Sequence, residues 1–311
     1  MFIEIFLNLI FYGSYLIFLM LIVAVILLFN KAKNQKAIKK RGKIFAGIFI
    51  IFALFFIYAR FAEPQMLKVR RERVFSDFEG GGQVNTIKMA IFSDLHYGIF
   101  KNAKSLKEVV DKINLENPDL VLIPGDFVYH LAKEKIEREL AEIKNINAPV
   151  FAVLGNHDYG IEGEEDVSEK EKAALESFGV NVLENKSEKI AIKGRLINII
   201  GIKDYWTNDA DYNLLKEISK DEFTIVLTHN ADSVYDFPEA ACLPDLVISG
   251  HTHGGQMRVP FIYKFMIPSE RGFDKGFYLI KGMKIFITSG VGMDGLPLRF
   301  LCPPEINILE I

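Results

Sequence analysis

A run of 25 residues without a charged side chain, Ile5–Phe29, constrains this 311-residue chain more than any other feature. As a helix the run would be about 37 Å long, which is enough to cross a bilayer. No Lys or Arg precedes it, so it is a poor secretory signal. A second apolar run, Ile44–Ala59, reaches a marginal spanning length of about 19 residues if Arg60 snorkels. We therefore expect a membrane anchor in residues 1–62, with an interfacial helix as the alternative for the second run.

The segment between the two runs predicts their orientation. Residues 31–43 read KAKNQKAIKKRGK, with seven Lys or Arg and no acid, and the positive-inside rule places such a short loop in the cytoplasm. The chain after residue 62 would then lie outside an inner membrane. A second basic cluster opposes this orientation, and attraction to anionic lipid headgroups is the alternative reading of both clusters. The second cluster consists of Arg60, Lys68, Arg70, Arg71 and Arg73.

The remainder of the chain has the composition of a globular domain with an acidic surface. Residues 83–311 hold 25 basic and 35 acidic side chains, which argues against nucleic-acid binding. The two cysteines, Cys242 and Cys302, form no CxxC motif, and we expect both in the core. Residues 63–82, which end in GGG, are expected to be a linker or an edge strand. The acid-rich residues 160–172 are expected to be a solvated loop entering a helix. No protein partner is implied.

Residues 83–311 repeat a pattern of apolar strand, polar turn and helix. Short continuous apolar runs of this kind are typical of sheets that are covered by helices. Helices are expected near 103–116, 131–144 and 168–178, and two further strands around 190–200. Several short runs in residues 256–311 indicate a second sheet. We therefore predict an α/β domain with two sheets packed face to face.

Five of the apolar strands end in residues that bind metals. The carboxyl ends of strands are where sites form in α/β sheets, because the following loops converge there. Five of the six histidines of the chain lie at these strand ends, whereas scattered core histidines would not collect there. Each motif is weak alone, but together they indicate one metal site. The strand-end residues are Asp94 and His96, Asp126, Asn156 and His157, His229, and His251 and His253.

These motifs, DLH, GD, GNHD, TH and GHTH, stand in the order found in calcineurin-like metallophosphoesterases, and the chain resembles that family over about residues 87–311. No position of the signature departs from the family pattern. The resemblance implies a four-layered α/β/β/α sandwich and two metal sites bridged by Asp126. By the resemblance, Asp94, His96, Asp126 and His253 would hold one ion, and Asp126, Asn156, His229 and His251 the other.

The predicted ligand atoms suit two divalent ions. Oxygen and imidazole ligands without thiolate favour Mn, Fe or Zn. Two such ions about 3.5–4 Å apart can share a hydroxide and hold both oxygens of an in-line phosphoryl displacement. We expect His251 and His253 on one extended segment, where a period of two would point both to the same side. The neighbouring glycines would let the backbone approach the ions.

His157 follows the predicted ligand Asn156 and should point away from that ion. The resemblance implies that His157 stabilises the transition state or protonates the leaving oxygen, and that Asp158 orients its ring. The alternative is a structural histidine. His130 is expected to be a surface or helix-start residue.

The sequence predicts the substrate less specifically than it predicts the metal ligands. GGQMRVP, SGVG and LPLRF resemble a membrane-attached branch of the family that includes UDP-2,3-diacylglucosamine pyrophosphatases. Arg258 and Arg299 could contact a substrate phosphate, with an ordinary ion pair as the alternative for each. Tyr205 and Trp206 could line an entrance for an acyl chain or base, or pack in the core. The prediction is a membrane-anchored phosphodiesterase or pyrophosphatase. The alternatives are hydrolysis of a soluble or periplasmic ester, and a non-catalytic scaffold.

Overall fold

The computed structural model describes residues 2–34, 40–74, 86–99, 106–161 and 163–311. The basic segment 31–43 lies partly outside these residues. The GGG segment at 80–82 lies wholly outside them. The α-helices of the described part are α1 (Phe2–Asn34), α2 (Lys40–Ile57), α3 (Leu106–Glu116), α4 (Ile136–Leu140) and α5 (Ser168–Ser177). Its strands are β1 (Lys68–Arg73), β2 (Lys88–Ile91), β3 (Tyr97–Gly98), β4 (Leu120–Pro124), β5 (Val128–Tyr129), β6 (Val150–Val153), β7 (Val180–Val182), β8 (Lys186–Ile192), β9 (Arg195–Gly201), β10 (Phe223–Leu227), β11 (Leu246–Ser249), β12 (Gly276–Ile280), β13 (Met283–Ile287) and β14 (Glu305–Glu310).

The two apolar runs form helices that are long enough to cross a membrane, with candidate spans Ile5–Leu27 and Ile44–Gln65. The helices contact one another where α2 passes into a π-helical turn, Tyr58–Ala62. Arg60 does not snorkel as expected. Its Nε donates to Ser14 Oγ at 2.8 Å, and its guanidinium lies over the ring of Phe11. Because Arg60 is buried against α1, it ties the two helices together instead of reaching solvent.

Twelve of the described strands form two mixed six-stranded sheets. The first has the order β1-β14-β2-β4-β6-β7, and the second has the order β12-β13-β11-β10-β9-β8. Parallel pairing joins β2, β4, β6 and β7 in the first sheet, and β9, β10, β11 and β13 in the second. The carboxyl ends of the central strands of each sheet therefore lie at one edge.

The pleat of the strands explains how the two sheets share a core. In β2, Met89 and Ile91 belong to a buried cluster that also contains Ile225 and Leu227 of β10. Ala90 of β2 faces the opposite way, into a cluster with α3, α4 and α5. Side chains alternate between the faces of a strand, so a continuous apolar run buries both faces. The predicted α/β domain with two apposed sheets is therefore observed.

The outer face of the second sheet is covered differently. Among the described residues, its apolar cluster is completed by 3-10 turns, including Tyr212–Glu217 and Ala231–Tyr235, and not by α-helices. The four-layered α/β/β/α arrangement therefore stays a prediction. The helix expected at 131–144 is also interrupted: α4 covers five residues and is flanked by the 3-10 turns Lys133–Lys135 and Ala141–Asn145.

Candidate metal centre

The fold brings all seven predicted ligands to one place. Three neighbouring strands of the first sheet, β2, β4 and β6, and two neighbouring strands of the second, β10 and β11, end there. All seven side chains are buried. The predicted ligands are Asp94, His96, Asp126, Asn156, His229, His251 and His253.

Two groups of ligand atoms form around one shared carboxylate. Asp126 Oδ2 lies 3.5 Å from His96 Nε2 and 3.1 Å from His229 Nε2. On the first side, His253 Nε2 lies 2.9 Å from His96 Nε2 and 3.8 Å from Asp94 Oδ1. These distances place a compact set of nitrogen and oxygen atoms on that side of Asp126.

The second group gathers around His229. Its Nε2 lies 3.1 Å from Asn156 Oδ1 and 3.2 Å from His251 Nδ1. The Nδ1–H of His229 donates to the carbonyl oxygen of Pro124 at 2.7 Å, which leaves the lone pair of the neutral ring on Nε2, the atom facing Asp126. The histidine is therefore oriented as a ligand would be.

The residues present fit a pair of divalent cations. Asp94, His96 and His253 offer possible ligand atoms that all lie within 4.8 Å of one another, and so do Asp126, His229 and His251. Burial lowers the pKa of His96 and of His253, and it lowers the pKa of His251 to about 3, so these rings are neutral as metal binding requires. Although burial opposes it, the charge of Asp126 raises the pKa of His229 to about 10. A bound cation would take the place of that proton beside Asp126.

The backbone at five ligands adopts an uncommon conformation. Residues other than glycine with φ near +60° carry strain and cluster at functional sites. The five φ angles are 52° at Asp94, 48° at His96, 56° at Asp126, 69° at His251 and 49° at His253.

The expectation that His251 and His253 share an extended segment was therefore wrong. The two lie in a turn after β11, and Thr252 caps a 3-10 turn that begins at His253. His251 joins the group around His229, whereas His253 joins His96.

Glycine is needed where loops cross the ligand carboxylates. A β-carbon on Gly155 would collide with the carboxylate of Asp126. A β-carbon on Gly290, whose φ is +64°, would lie 2.6 Å from Asp94 Oδ2. Close packing of backbone against both carboxylates explains these positions.

His157 lies beside the centre, but Asp158 does not orient its ring, and that prediction was wrong. The Asp158 carboxylate accepts backbone N–H groups from residues 126–128 and from Gly155, at 2.8–3.1 Å, and so holds the loop that carries Asp126. The ring of His157 is held instead by Glu164, whose carboxylate oxygens lie 2.9 and 3.0 Å from Nδ1.

Glu164 is a site residue that sequence analysis missed. Its stretch, 160–172, was expected to be a solvated loop, and Glu165 is indeed exposed and paired with Lys133. The side chain of Glu164, in contrast, is 3% exposed and also lies 3.3 Å from Nε2 of His130. Burial lowers the pKa of His157, but the charge of Asp126 and the hydrogen bond with Glu164 outweigh it and raise that pKa to about 10. The contact with Glu164 therefore favours the protonated form of the His157 ring.

Neither arginine reaches into the centre. Arg299 is fully buried and donates to the backbone carbonyls of Ser289, Gly292 and Cys302, so its predicted contact with a substrate phosphate was wrong. Arg258 pairs with Asp274 at 3.0 Å, which is the ordinary ion pair left open from the sequence.

Tyr205 and Trp206 line a cavity of about 560 Å³ next to the centre. The indole of Trp206 meets the ring of His251 edge to face, with 4.6 Å between the ring centroids. The cavity therefore adjoins the second group of ligands. The other lining residues are Ile161, Asn208, Ala210, Tyr212, Asp236 and Glu270.

A buried carboxylate between two clusters of imidazole and oxygen atoms is an arrangement that can hold divalent metal ions for hydrolysis. A sequence model of the family described as calcineurin-like phosphoesterase matches residues 87–255. The chain belongs to the calcineurin-like phosphoesterase family and is a metal-dependent phosphohydrolase.

Curated relatives include proteins of similar length. The chain is 30% identical over 263 residues to the uncharacterized metallophosphoesterase YkuE of Bacillus subtilis, covering 82% of this chain and 88% of YkuE. It is 31% identical over 265 residues to the phosphodiesterase YaeI of Escherichia coli, covering 82% and 92%. Among solved structures, a dimetal phosphatase from Danio rerio aligns with a TM-score of 0.41 and 12% identity, over 68% of this chain and 89% of that one.

Proposed function

We propose that the chain is a membrane-anchored phosphodiesterase or pyrophosphatase that uses two divalent ions, Mn, Fe or Zn. One group of ligands would hold each ion, and Asp126 would belong to both groups. The observation that carries this proposal is the position of Asp126 Oδ2, within 3.5 Å of His96 Nε2 and 3.1 Å of His229 Nε2. When bound, the ions would activate water and neutralise the phosphate charge.

In this proposal His157 donates the proton to the leaving oxygen. The ring is protonated and buried, and Glu164 fixes its orientation from the Nδ1 side. That leaves Nε2 as the donor atom, which lies 3.9 Å from Asp294. General acids of this kind typically contribute about 10²–10⁴ in rate. Glu164 acts through His157 and is a positioning residue.

The cavity beside Trp206 is the place where we expect the group attached to the phosphate. Its aromatic side chains can stack on a planar or sugar ring, and Asn208, Asp236 and Glu270 offer hydrogen-bond partners. This lining favours a polar group, such as a nucleoside or sugar, over an acyl chain. UDP-2,3-diacylglucosamine, which has such a group, remains one candidate substrate. The related YaeI is named a phosphodiesterase, which supports a diester as the general class.

The proposal includes anchoring of the chain by α1 and α2. It has two versions, which differ in the side of the membrane on which the catalytic domain lies. The basic segment 31–43 favours a catalytic domain outside the inner membrane, whereas UDP-diacylglucosamine lies on the cytoplasmic leaflet. The extracytoplasmic version therefore predicts another lipid or a periplasmic ester as substrate. Protease protection of the C-terminus in sealed inner-membrane vesicles distinguishes the two sides.

The detergent-purified full chain tests the reaction. We expect hydrolysis of bis(4-nitrophenyl) phosphate that requires Mn, Fe or Zn and is lost in His253→Ala. UMP release from UDP-2,3-diacylglucosamine, also lost in His253→Ala, would identify the candidate substrate. A wild-type chain that hydrolyses neither compound with any of the three metals would contradict the proposal.

A further inference from the structure

A loop beside the metal centre exposes large apolar side chains. In residues 259–268, here called the apolar loop, Phe261 is 93% exposed, Phe265 89%, Met266 60% and Ile262 55%. The loop is folded: Ile262 N–H donates to Val259 O at 3.1 Å, and Phe265 N–H to Ile262 O at 3.0 Å. A contiguous exposed patch of this kind marks an interaction site.

The loop is braced against the turn that carries His253. Arg258 donates to the carbonyl oxygen of Gly254 at 2.8 Å, and its guanidinium lies 4.4 Å from the ring centroid of Tyr263. Gly255 touches the same ring, since a β-carbon there would lie 2.9 Å from Tyr263 Cδ2. The position of the apolar loop is therefore fixed relative to the metal centre.

The same loop is joined to the end of the second apolar helix. The N–H of Arg258 donates to Phe300 O at 2.8 Å, and the ring of Phe300 packs edge to face on Phe55 at 4.7 Å. The N–H of Arg299 donates to Ala59 O at 2.9 Å. Phe261 follows Arg258 by three residues, so their α-carbons are at most about 11 Å apart.

The first apolar helix reaches the centre from its own side. Leu7 and Phe11 of α1 form a buried cluster with Tyr129. The ring centroid of Tyr129 lies 5.4 Å from that of His96 and 4.9 Å from that of His157. The metal centre thus touches the helical hairpin at the end where α1 begins and α2 finishes.

We propose that the apolar loop inserts into the surface of the bilayer that holds the hairpin, so that the centre takes phosphoesters whose alcohol or phosphate is attached to a lipid. We assign lipid to this patch because it adjoins residues 299–302. Those residues contact the candidate span Ile44–Gln65, so the patch and the span lie on the same side of the domain. Lys264, between the exposed Ile262 and Phe265, suits the headgroup region, where cationic side chains accompany apolar ones. The inference rests on the proposed membrane anchor and deepens it by naming the substrate class.

Brominated lipids test the insertion directly. Trp206 is the only tryptophan of the chain, so a Trp206→Phe background allows one reporter at a time. The full chain would be placed in nanodiscs with Phe265→Trp, or with Leu279→Trp as the control. Leu279 is 70% exposed and pairs with Lys284 near the amino end of β13, away from the centre. We expect brominated lipid to quench and blue-shift the emission of the Phe265→Trp reporter only; equal quenching of both reporters, or of neither, overturns the proposal.

Hydrolysis assays distinguish a failure of the loop proposal from a failure of the proposed function. For the double variant Phe261→Ser and Phe265→Ser, we expect about a tenfold or greater loss in the hydrolysis of hexadecyl 4-nitrophenyl phosphate dissolved in the nanodiscs, because two apolar anchors are removed. Hydrolysis of soluble bis(4-nitrophenyl) phosphate should stay within about twofold. Unchanged hydrolysis of the lipid probe overturns the loop proposal alone. A wild type that hydrolyses neither probe with Mn, Fe or Zn instead overturns the proposed function.

Discussion

Replacing Glu164 by Gln tests whether Glu164 raises the pKa of His157, the proposed general acid. Glu164 faces His157 Nδ1 with both carboxylate oxygens, at 2.9 and 3.0 Å. A hydrogen bond to a charged group contributes about 1.5–3 kcal/mol, and about 1.36 kcal/mol corresponds to one pKa unit. Glu164→Gln should therefore lower the pKa of His157, which is about 10 in the native site, by about 1–2 units.

The assay is the pH dependence of kcat with two leaving groups. A general acid must be protonated, so kcat falls as pH rises through its pKa, and a lower pKa moves this fall to lower pH. With an alkyl leaving group we expect the loss in Glu164→Gln to begin near about pH 8 and to reach about 10–100-fold above about pH 10, where both rings titrate. With 4-nitrophenolate, which leaves without a proton, the loss should be small.

Glu165→Gln is the matched control, because this neighbouring carboxylate is exposed and pairs with Lys133. Its pH profile should match that of the wild type. An alkaline limb that does not move in Glu164→Gln, or an equal loss with both leaving groups, would refute the assignment of Glu164 and His157 to proton transfer.

Three further predictions concern buried residues that support the structure around the site. Gly155→Ala pushes a β-carbon into the Asp126 carboxylate and should lower metal content, measured by mass spectrometry, and stability by about 1–3 kcal/mol. Arg299→Ala leaves buried carbonyls without donors and should cost about 3–5 kcal/mol in chemical denaturation, whereas exposed Arg138→Ala should cost little. Burial raises the pKa of Glu184 from 4.5 to about 7, so the stability that its protonated form contributes is complete below pH 4.5 and is lost as pH rises to about 7. Glu184→Gln should therefore be more stable than the wild type at about pH 8 by about 2–3 kcal/mol, and equal stability there would contradict this reasoning.

Much of the fold and the predicted ligand set followed from local pattern. Continuous apolar runs predict buried strands because both faces of each strand are covered, as in β2 and β4. A polar residue directly after such a run must lie at the sheet edge, so Asp94, Asp126 and His229 could be placed from the sequence.

The residues that sequence analysis misassigned depend on contacts between distant segments. Residues 160–166 are rich in acids, and only the tertiary fold shows that Glu164 turns inward to His157 while Glu165 pairs outward. Asp158 was misassigned because the groups that donate to its carboxylate include backbone N–H groups from a distant loop, at residues 126–128. The sequence could not exclude Arg299 as a phosphate ligand, because the carbonyls that accept its hydrogen bonds come together only when the chain folds.

The metal content of the purified full chain tests the central claim most directly. Mass spectrometry should find two divalent ions per wild-type chain, and fewer than one in Asp126→Asn, because Asp126 Oδ2 serves both ligand groups. Asp209→Asn, which removes only an exposed pair with Lys203, should keep both ions. A wild-type chain that binds no metal, or an Asp126→Asn variant that keeps two ions, would contradict a binuclear centre built around Asp126.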